Sequence, residues 1–327
     1  MKNYLDVVVE MGARLRLIAD SGEGCAVIDS ATKANEWFTR EGVVGSVEAL
    51  CEQMLDRDKL VEWLAEYPSL PRCEARDVAI IMAGNIPLVG FFDLLCVLLS
   101  GNRAWVKTSS KDTVLMRYIV DLLRDIEPSV PVFGYDDERH YDAVIATGGE
   151  NAMRYFESRF SGSRLLARSN RHSVAVVDGS ESEELMQGLA SDIYTHSGLG
   201  CRNVSMIFTP VGYMPNLKGG SLSQGYTNNY MQSRAVATLT GREVVDNGVS
   251  LFEKSTSLPS SLSTISLYEY RDIAQVEQWL AEHVSEIQCV VGRAIEHPRR
   301  VDFGQAQSPT LNDYPDGVDV MKFLAYD

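Results

Sequence analysis

The chain has 327 residues, 45% of them hydrophobic, enough to bury a substantial core and long enough for two domains. Thirty Lys and Arg against 45 Asp and Glu leave a formal net charge of −15 and a pI near 4.8, which argues against a broad phosphate-binding surface for DNA or RNA but allows a local pocket for one small anion. The six cysteines (25, 51, 73, 96, 201 and 289) form no C-x-x-C pair and show no zinc-ligand spacing, so no metal site is expected and the thiols read as reduced, in a cytoplasm.

In chain order, Met1 to Asp6 lacks a basic region followed by an apolar core, so no secretory signal is expected. Residues 1–75 read as a helical lead-in, with apolar residues at helical spacing from Val47 to Tyr67. The longest apolar tract, Val78 to Leu99, approaches membrane-span length but contains Gly84-Asn85, Pro87, Gly90 and Asp93, and reads as buried strand, turn and helix. From Asp77 short apolar runs (78–82, 104–107, 143–146, 173–177) alternate with helical stretches (88–100, 113–126, 151–160). That alternation predicts an α/β fold with a parallel sheet covered on both faces, as a nucleotide-binding domain over residues 76–182. A smaller α/β catalytic domain is expected over 183–296, with strands at 204–208, 263–268 and 287–291 and a helix at 273–283. Residues 212–229 and 254–263 are rich in Gly, Ser, Asn and Pro and read as loops. The tail, 297–327, is dense in turn formers yet keeps apolar residues, and is expected to form an ordered strap.

The segment His196-Ser197-Gly198-Leu199-Gly200-Cys201-Arg202-Asn203 places a cysteine on a glycine-flanked bend before the β-rich run 204–209. Tight backbone turns leave such a sulfur accessible as a nucleophile, and Arg202 favours the thiolate if it lies near. The bland alternative is an inert buried thiol. A nucleophilic Cys201 needs a fixed donor for the oxyanion it creates, and Asn85, in the turn after the first buried strand, is the candidate, together with the Cys201 amide. Asn85 equally suits satisfaction of its own turn. Lys107-Thr108-Ser109-Ser110, leaving a strand toward a helix, suits a nucleotide's ribose or phosphate, against the alternative of a solvated loop lysine. Thr147-Gly148-Gly149 leaves another strand through glycines into a helix and could cradle a pyrophosphate, although neither G-x-G-x-x-G after a strand nor a P-loop is present. His172 and His196 lie near these segments, where a lone histidine is more often a hydrogen-bonding structural residue than a base.

Taken in order, Gly84-Asn85-Ile86-Pro87, Val106-Lys107-Thr108-Ser109, Ala146-Thr147-Gly148-Gly149, Gly198-Leu199-Gly200-Cys201-Arg202 and Phe303-Gly304-Gln305-Ala306-Gln307-Ser308-Pro309 resemble the acyl-CoA reductase family of the aldehyde dehydrogenase superfamily. That family includes the fatty-acid reductase subunit of bacterial bioluminescence. The resemblance runs from about Asp77 to Leu324. It implies an aldehyde dehydrogenase-like fold, with Cys201 as nucleophile, Asn85 in the oxyanion hole, and Lys107, Thr108, Ser110 and the Thr147–Gly149 turn around NADPH or NADH. Aldehyde-oxidising members carry a glutamate that activates the deacylating water; the corresponding stretch, Leu166 to Ser173, puts Arg168 there, and arginine cannot serve as that base. The expected substrate is therefore an acyl-CoA or acyl-protein thioester with a long or hydrophobic acyl chain. Ser110 stands where relatives place a ribose-binding glutamate that repels a 2′-phosphate, which favours NADPH over NADH. Glu253 is the one candidate for a second cofactor glutamate. Relatives of the fold associate as dimers or larger, and no membrane span or nucleic-acid partner is expected. The rival expectations are an acyl-phosphate or short-chain acyl-CoA reductase of the same fold, and a non-catalytic nucleotide-binding member.

Overall fold

A computed structural model describes residues 3–220 and 222–326, divided into two compact units, 1–170 with 309–327 and 171–308. The first unit opens with four helices, α1 (Tyr4–Leu15), α2 (Gly22–Ala34), α3 (Arg40–Gln53) and α4 (Arg57–Ala65). Asn3, Ser21, Thr39 and Asp56 cap their amino ends with side-chain oxygens. There follow β1 (Asp77–Ile81), α5 (Phe91–Leu99), β2 (Arg103–Lys107), α6 (Thr113–Ile126), β3 (Val132–Gly134), β4 (Ala143–Thr147), α7 (Glu150–Arg159) and β5 (Arg164–Arg168). The five strands form one parallel sheet in the order β3-β2-β1-β4-β5, so the chain reverses its direction of winding between β1 and β4.

Strand periodicity sorts β1 onto two cores. Val78 and Ile80 join the large cluster with α1–α6, while Ala79 joins Val144, Ala146, Phe156 and Phe160 under α7. All nine residues of α5 are buried, so it is a core helix with one acid, Asp93. α6 buries Leu115, Met116, Ile119, Leu122, Leu123 and Ile126, one continuous stripe at helical spacing, and α1 and α2 pack on it. The chain returns to this unit at its carboxyl end, where a short helix, Val320–Leu324, packs on α5. There Tyr314 accepts from Trp63 Nε1 at 2.8 Å and hydrogen-bonds Tyr67, while Arg72 and Arg76 each donate to the Tyr326 carbonyl at 2.6 Å.

The second unit comprises β6 (His172–Val176), α8 (Glu183–Tyr194), β7 (Val204–Pro210), α9 (Gln224–Thr240), β8 (Val245–Asp246), β9 (Leu251–Lys254), β10 (Thr264–Tyr270), α10 (Ile273–Glu282), β11 (Ile287–Gly292) and β12 (Arg300–Val301). Its sheet runs β12-β11-β6-β7-β10-β9-β8, parallel except where β8 meets β9. Val174, Val176, Met206, Phe208 and Val290 form a core with Val276, Trp279 and Leu280 of α10.

The boundary differs from the one expected at 182/183. β6 extends the strand-helix alternation of the first unit, but it pairs with β7 and β11, so the second unit starts at Arg171. The expected strap divides too: residues up to Ser308 belong with the second unit and the remainder with the first. α9 starts inside the stretch expected to be loop, because Ser223 caps it through the Tyr226 amide.

Candidate active site

Every site residue expected in the first unit stands on one edge of its sheet. Asn85 follows β1, Lys107, Thr108 and Ser110 end or follow β2, Thr147, Gly148 and Gly149 end or follow β4, and Arg168 ends β5. This is the carboxyl edge of a parallel sheet, with β1 and β4 flanking the point where winding reverses; open α/β sheets take ligands there.

Each turn has a packing reason for its composition. A Cβ on Gly84 would lie 2.5 Å from Ser109 Cβ and 3.1 Å from Asp112 Cβ, so only glycine lets the Asn85 turn lie against the loop after β2. The Met82 amide donates to the Lys107 carbonyl at 3.0 Å, closing the same contact. A Cβ on Gly148 would lie 2.8 Å from Ala152 Cβ, whereas one on Gly149 meets nothing within 4 Å. Gly148 thus serves the close approach of α7. Gly149 borders an open cleft that Asn151, Ala152, Ser169 and Asn170 also line. Lys107 is about half exposed, with its ammonium 4.8 Å from the centre of the Tyr135 ring. Asn85 is half-buried.

Arg168 is buried at 4% exposure and donates from Nη1 to both oxygens of Asp93 on α5, at 2.9 and 2.8 Å. Its Nε and Nη2 are buried with no hydrogen-bond partner among the described residues. A guanidinium held this way stays protonated and cannot act as a base.

Cys201 lies in the second unit, just before the amino end of β7, and is half-buried; Cys51, Cys96 and Cys289 are buried. The bend before it is left-handed at three successive residues, His196 (φ 55°), Ser197 (φ 54°) and Gly198 (φ 69°). Two of the three carry side chains, so the turn is strained and must be held by its surroundings. Asn203 does much of the holding. Its Nδ2 donates to the carbonyls of Asp192, Ile193 and Thr195, and its Oδ1 accepts from the Gly200 amide at 2.8 Å. Ser173, at the start of β6, donates from Oγ to the Cys201 carbonyl at 2.9 Å, and Ser197 Oγ accepts from the Ser223 amide.

Arg202 donates from Nε to the Ala306 carbonyl. Asp192, on α8, accepts from the Gly304 and Ala306 amides at 2.7 and 2.9 Å, so the Phe303–Pro309 motif stretch is fastened to the Cys201 bend by a buried carboxyl and a guanidinium. Burial pushes the Asp192 carboxyl up to about 7 against the pull of those amides and of Arg202. Burial drives His196 down to about 4, leaving a neutral imidazole whose Nδ1 has no partner among the described residues. His172 Nδ1 pairs with Ser205 Oγ at 2.9 Å, as a structural histidine does. Glu253, in β9, is ion-paired with Arg242 at 3.4 Å. Asn203, Ser173 and Asp192 were not singled out in the sequence; their service is to backbone groups, which residue type alone does not disclose.

Among the described residues no cluster of three or more His, Cys, Asp or Glu could hold a metal, and no helix is long and apolar enough to cross a membrane.

A family model described as acyl-CoA reductase (LuxC) matches residues 26–213, more than half of the chain, and that stretch contains Asn85, Lys107, Thr147–Gly149 and Cys201. The chain belongs to the LuxC acyl-CoA reductase family. It is 24% identical over 169 residues to the long-chain acyl-protein thioester reductase of Aliivibrio fischeri, a match covering 46% of this chain and 35% of that protein. To the enzyme of the same name from Photorhabdus laumondii it is 22% identical over 191 residues, 53% of this chain and 39% of that one. The chain thus matches well under half the length of these relatives. Among solved structures it resembles aldehyde dehydrogenase 21 from Physcomitrella patens (TM-score 0.69, 10% identity, 99% of this chain and 84% of that one). It also resembles an aldehyde dehydrogenase from Bacillus cereus solved with NAD+ (TM-score 0.63, 12% identity, 89% and 72%). At these identities the likeness shows the fold, which is that of the aldehyde dehydrogenases.

Proposed function

We propose that this LuxC-family chain reduces a long-chain or otherwise hydrophobic acyl thioester, acyl-CoA or acyl-protein, to the aldehyde through an acyl group held on Cys201. The observation that carries the reading is the match to the acyl-CoA reductase model across both the carboxyl-edge motifs of the first unit and the cysteine bend of the second. The names of the two relatives support a long-chain thioester as acyl donor.

In this reading the Cys201 thiolate attacks the thioester carbon, and the carboxamide of Asn85 with the amide of Cys201 holds the negative charge that develops on the carbonyl oxygen. The C–S bond to the donor thiol then breaks, leaving the acyl group on Cys201. One thioester has replaced another, so the step needs little driving force. Arg168 occupies the place of a hydrolytic base and is locked to Asp93, which favours reduction of the acyl group over its loss to water.

The residues present fit a nicotinamide dinucleotide: the amino end of α7 opens through Gly149 onto a cleft at the sheet's carboxyl edge, and Lys107, Thr108 and Ser110 stand on the same edge. Lys107 and the Thr147–Gly149 turn would hold it, with Ser110 admitting a 2′-phosphate and so favouring NADPH. When bound, the reduced nicotinamide supplies the hydride that the acyl carbon receives. Cys201 finally leaves the reduced carbon as thiolate, releasing free aldehyde.

The test is loss of reduced-nicotinamide absorbance with a panel of acyl-CoA thioesters, NADH and NADPH side by side, joined to peptide-resolved alkylation of the six cysteines. Long-chain acyl-CoA should slow alkylation of Cys201 selectively, Asn85→Ala should lower kcat about a hundredfold to a thousandfold, and Cys201→Ala should abolish turnover. Undiminished turnover in Cys201→Ala rejects the mechanism.

A further inference from the structure

Asp112 stands immediately before α6, where an aspartate ordinarily caps the helix through its side chain, yet it makes no capping bond. It is buried at 2% exposure, and its Oδ2 accepts from the Leu88 amide at 2.7 Å. Leu88, three residues beyond Asn85, has φ 58°, a left-handed conformation that a branched side chain resists. Something must hold it there, and the bond to the buried Asp112 carboxyl does. Asp112 Cβ also faces Gly84 at the other end of the turn, beside Ser109. The loop carrying Asp112 is itself braced: the Asp112 amide and Thr113 Oγ1 both donate to the Ser109 carbonyl, at 3.1 and 2.9 Å. Asn85 is therefore carried on a turn gripped at Met82, Gly84 and Leu88 by the one loop that also bears Lys107, Thr108 and Ser110.

We propose that Asp112 is the positioning residue of the oxyanion site: through the Leu88 amide it sets the turn that aims Asn85 and ties that turn to the cofactor loop. The proposal rests on the role given to Asn85 above. It assigns Asp112 no contact with substrate. An asparagine at 112 keeps an oxygen for the Leu88 amide, whereas an alanine does not.

The experiment compares Asp112→Asn, Asp112→Ala, Asn85→Ala and the double variant Asn85→Ala/Asp112→Ala, reading kcat with acyl-CoA and peptide-resolved hydrogen exchange over residues 83–90. Leaving the buried Leu88 amide without its acceptor predicts a fall in kcat of about tenfold to a hundredfold for Asp112→Ala, with Cys201 alkylation at the parent rate. Exchange over 83–90 should quicken in Asp112→Ala and stay near the parent rate in Asp112→Asn, which should also recover most of the turnover. In the Asn85→Ala background, removing Asp112 should cost little more, because both substitutions disable one device. Parent-like exchange over 83–90 in Asp112→Ala, or kinetic losses that simply add in the double variant, overturns the proposal. If Asn85→Ala turns over at the parent rate while Asp112→Ala frees the 83–90 exchange, the grip on the turn stands and the oxyanion role of Asn85 falls. Should Asp112→Ala fail to fold, Asp112→Asn against Asp112→Ser decides, serine being too short to reach the Leu88 amide: serine should free the exchange, and parent-like exchange in both overturns the proposal.

Discussion

Asp93 and Arg168 offer the sharpest test of how the carboxyl edge is built. Their side chains are 8% and 5% exposed, and Arg168 Nη1 sits within 2.9 Å of both Asp93 oxygens. Removing one member of a buried pair strands the other's charge in a medium that solvates it poorly, which costs about 3–5 kcal/mol. Asp93→Ala belongs at the upper end of that range, since Nε and Nη2 of Arg168 have no partner among the described residues and the truncation would remove the acceptor of Nη1 as well. For a unit of this size that corresponds to a fall in Tm of about 6–20 °C. Replacing both, as Asp93→Leu/Arg168→Met, leaves no charge to strand, so the double variant should be about as stable as the parent or more so. Thermal and urea melts of the two single variants and the double give the coupling directly. A loss under about 1 kcal/mol for Asp93→Ala, or a double variant no better than the worse single one, would refute the buried-pair argument. Arg168→Glu should be no gain of aldehyde oxidation, because it sets two carboxylates against each other where a cation now satisfies one.

Gly84→Ala should cost about 1–3 kcal/mol and lower turnover, since its Cβ would fall 2.5 Å from the Cβ of Ser109, an atom that no rotamer change can move aside. Gly149→Ala is the matched control: its Cβ meets nothing, so stability should stay within about 0.5 kcal/mol and a kinetic change reads the cofactor contact proposed for this turn. Equal melting points for the two variants would contradict the close approach of the two loops. His196 predicts a pH dependence of stability. In the unfolded chain its imidazole takes a proton near 6.5, while burial holds it neutral in the fold down to about 4, so its contribution is complete above 6.5 and drains away as pH falls between those values. His196→Asn, which tolerates the left-handed backbone, should therefore lose about 3 kcal/mol less than the parent between pH 7.5 and 4 in denaturant titrations. Parallel curves for parent and variant would show that the imidazole is not buried neutral.

What could be read from residues alone tracks how each element is stabilised. The helix expected at 113–126 is observed with those bounds because its apolar stripe is continuous, and β1 and β4 are found within a residue of expectation because both are apolar runs buried on two faces. β5 does not read as a strand in the sequence because arginines stand at both its ends; the buried Arg168 is paired with Asp93, a partner 75 residues away. α9 hid behind its polarity, for a helix of Gln, Asn, Ser and Thr shows no stripe. The unit boundary differs from the expected 182/183 for a related reason: β6 has the same buried composition as the strands before it, and only its pairing with β7 and β11 assigns it to the second sheet.

The candidate site divides along the same line. The residues proposed to act on ligands, Cys201, Asn85, Lys107 and the Thr147–Gly149 turn, are picked out by type and by position after or before a strand. Residues that act on the backbone do not. Asp112 before a helix looks like a cap, and nothing short of the 2.7 Å bond to Leu88 shows that it has been diverted to another turn. Asn203, two residues past Cys201, looks like an ordinary turn former, yet it donates to three carbonyls and accepts one amide. Left-handed residues at Leu88, His196 and Ser197 mark where such bracing is needed, since each is a conformation the local sequence disfavours. The strain and its restraints occur together at the two turns that bear Asn85 and Cys201, and the proposed reaction, which depends on the fixed aim of one carboxamide and one sulfur, requires rigidity at those turns.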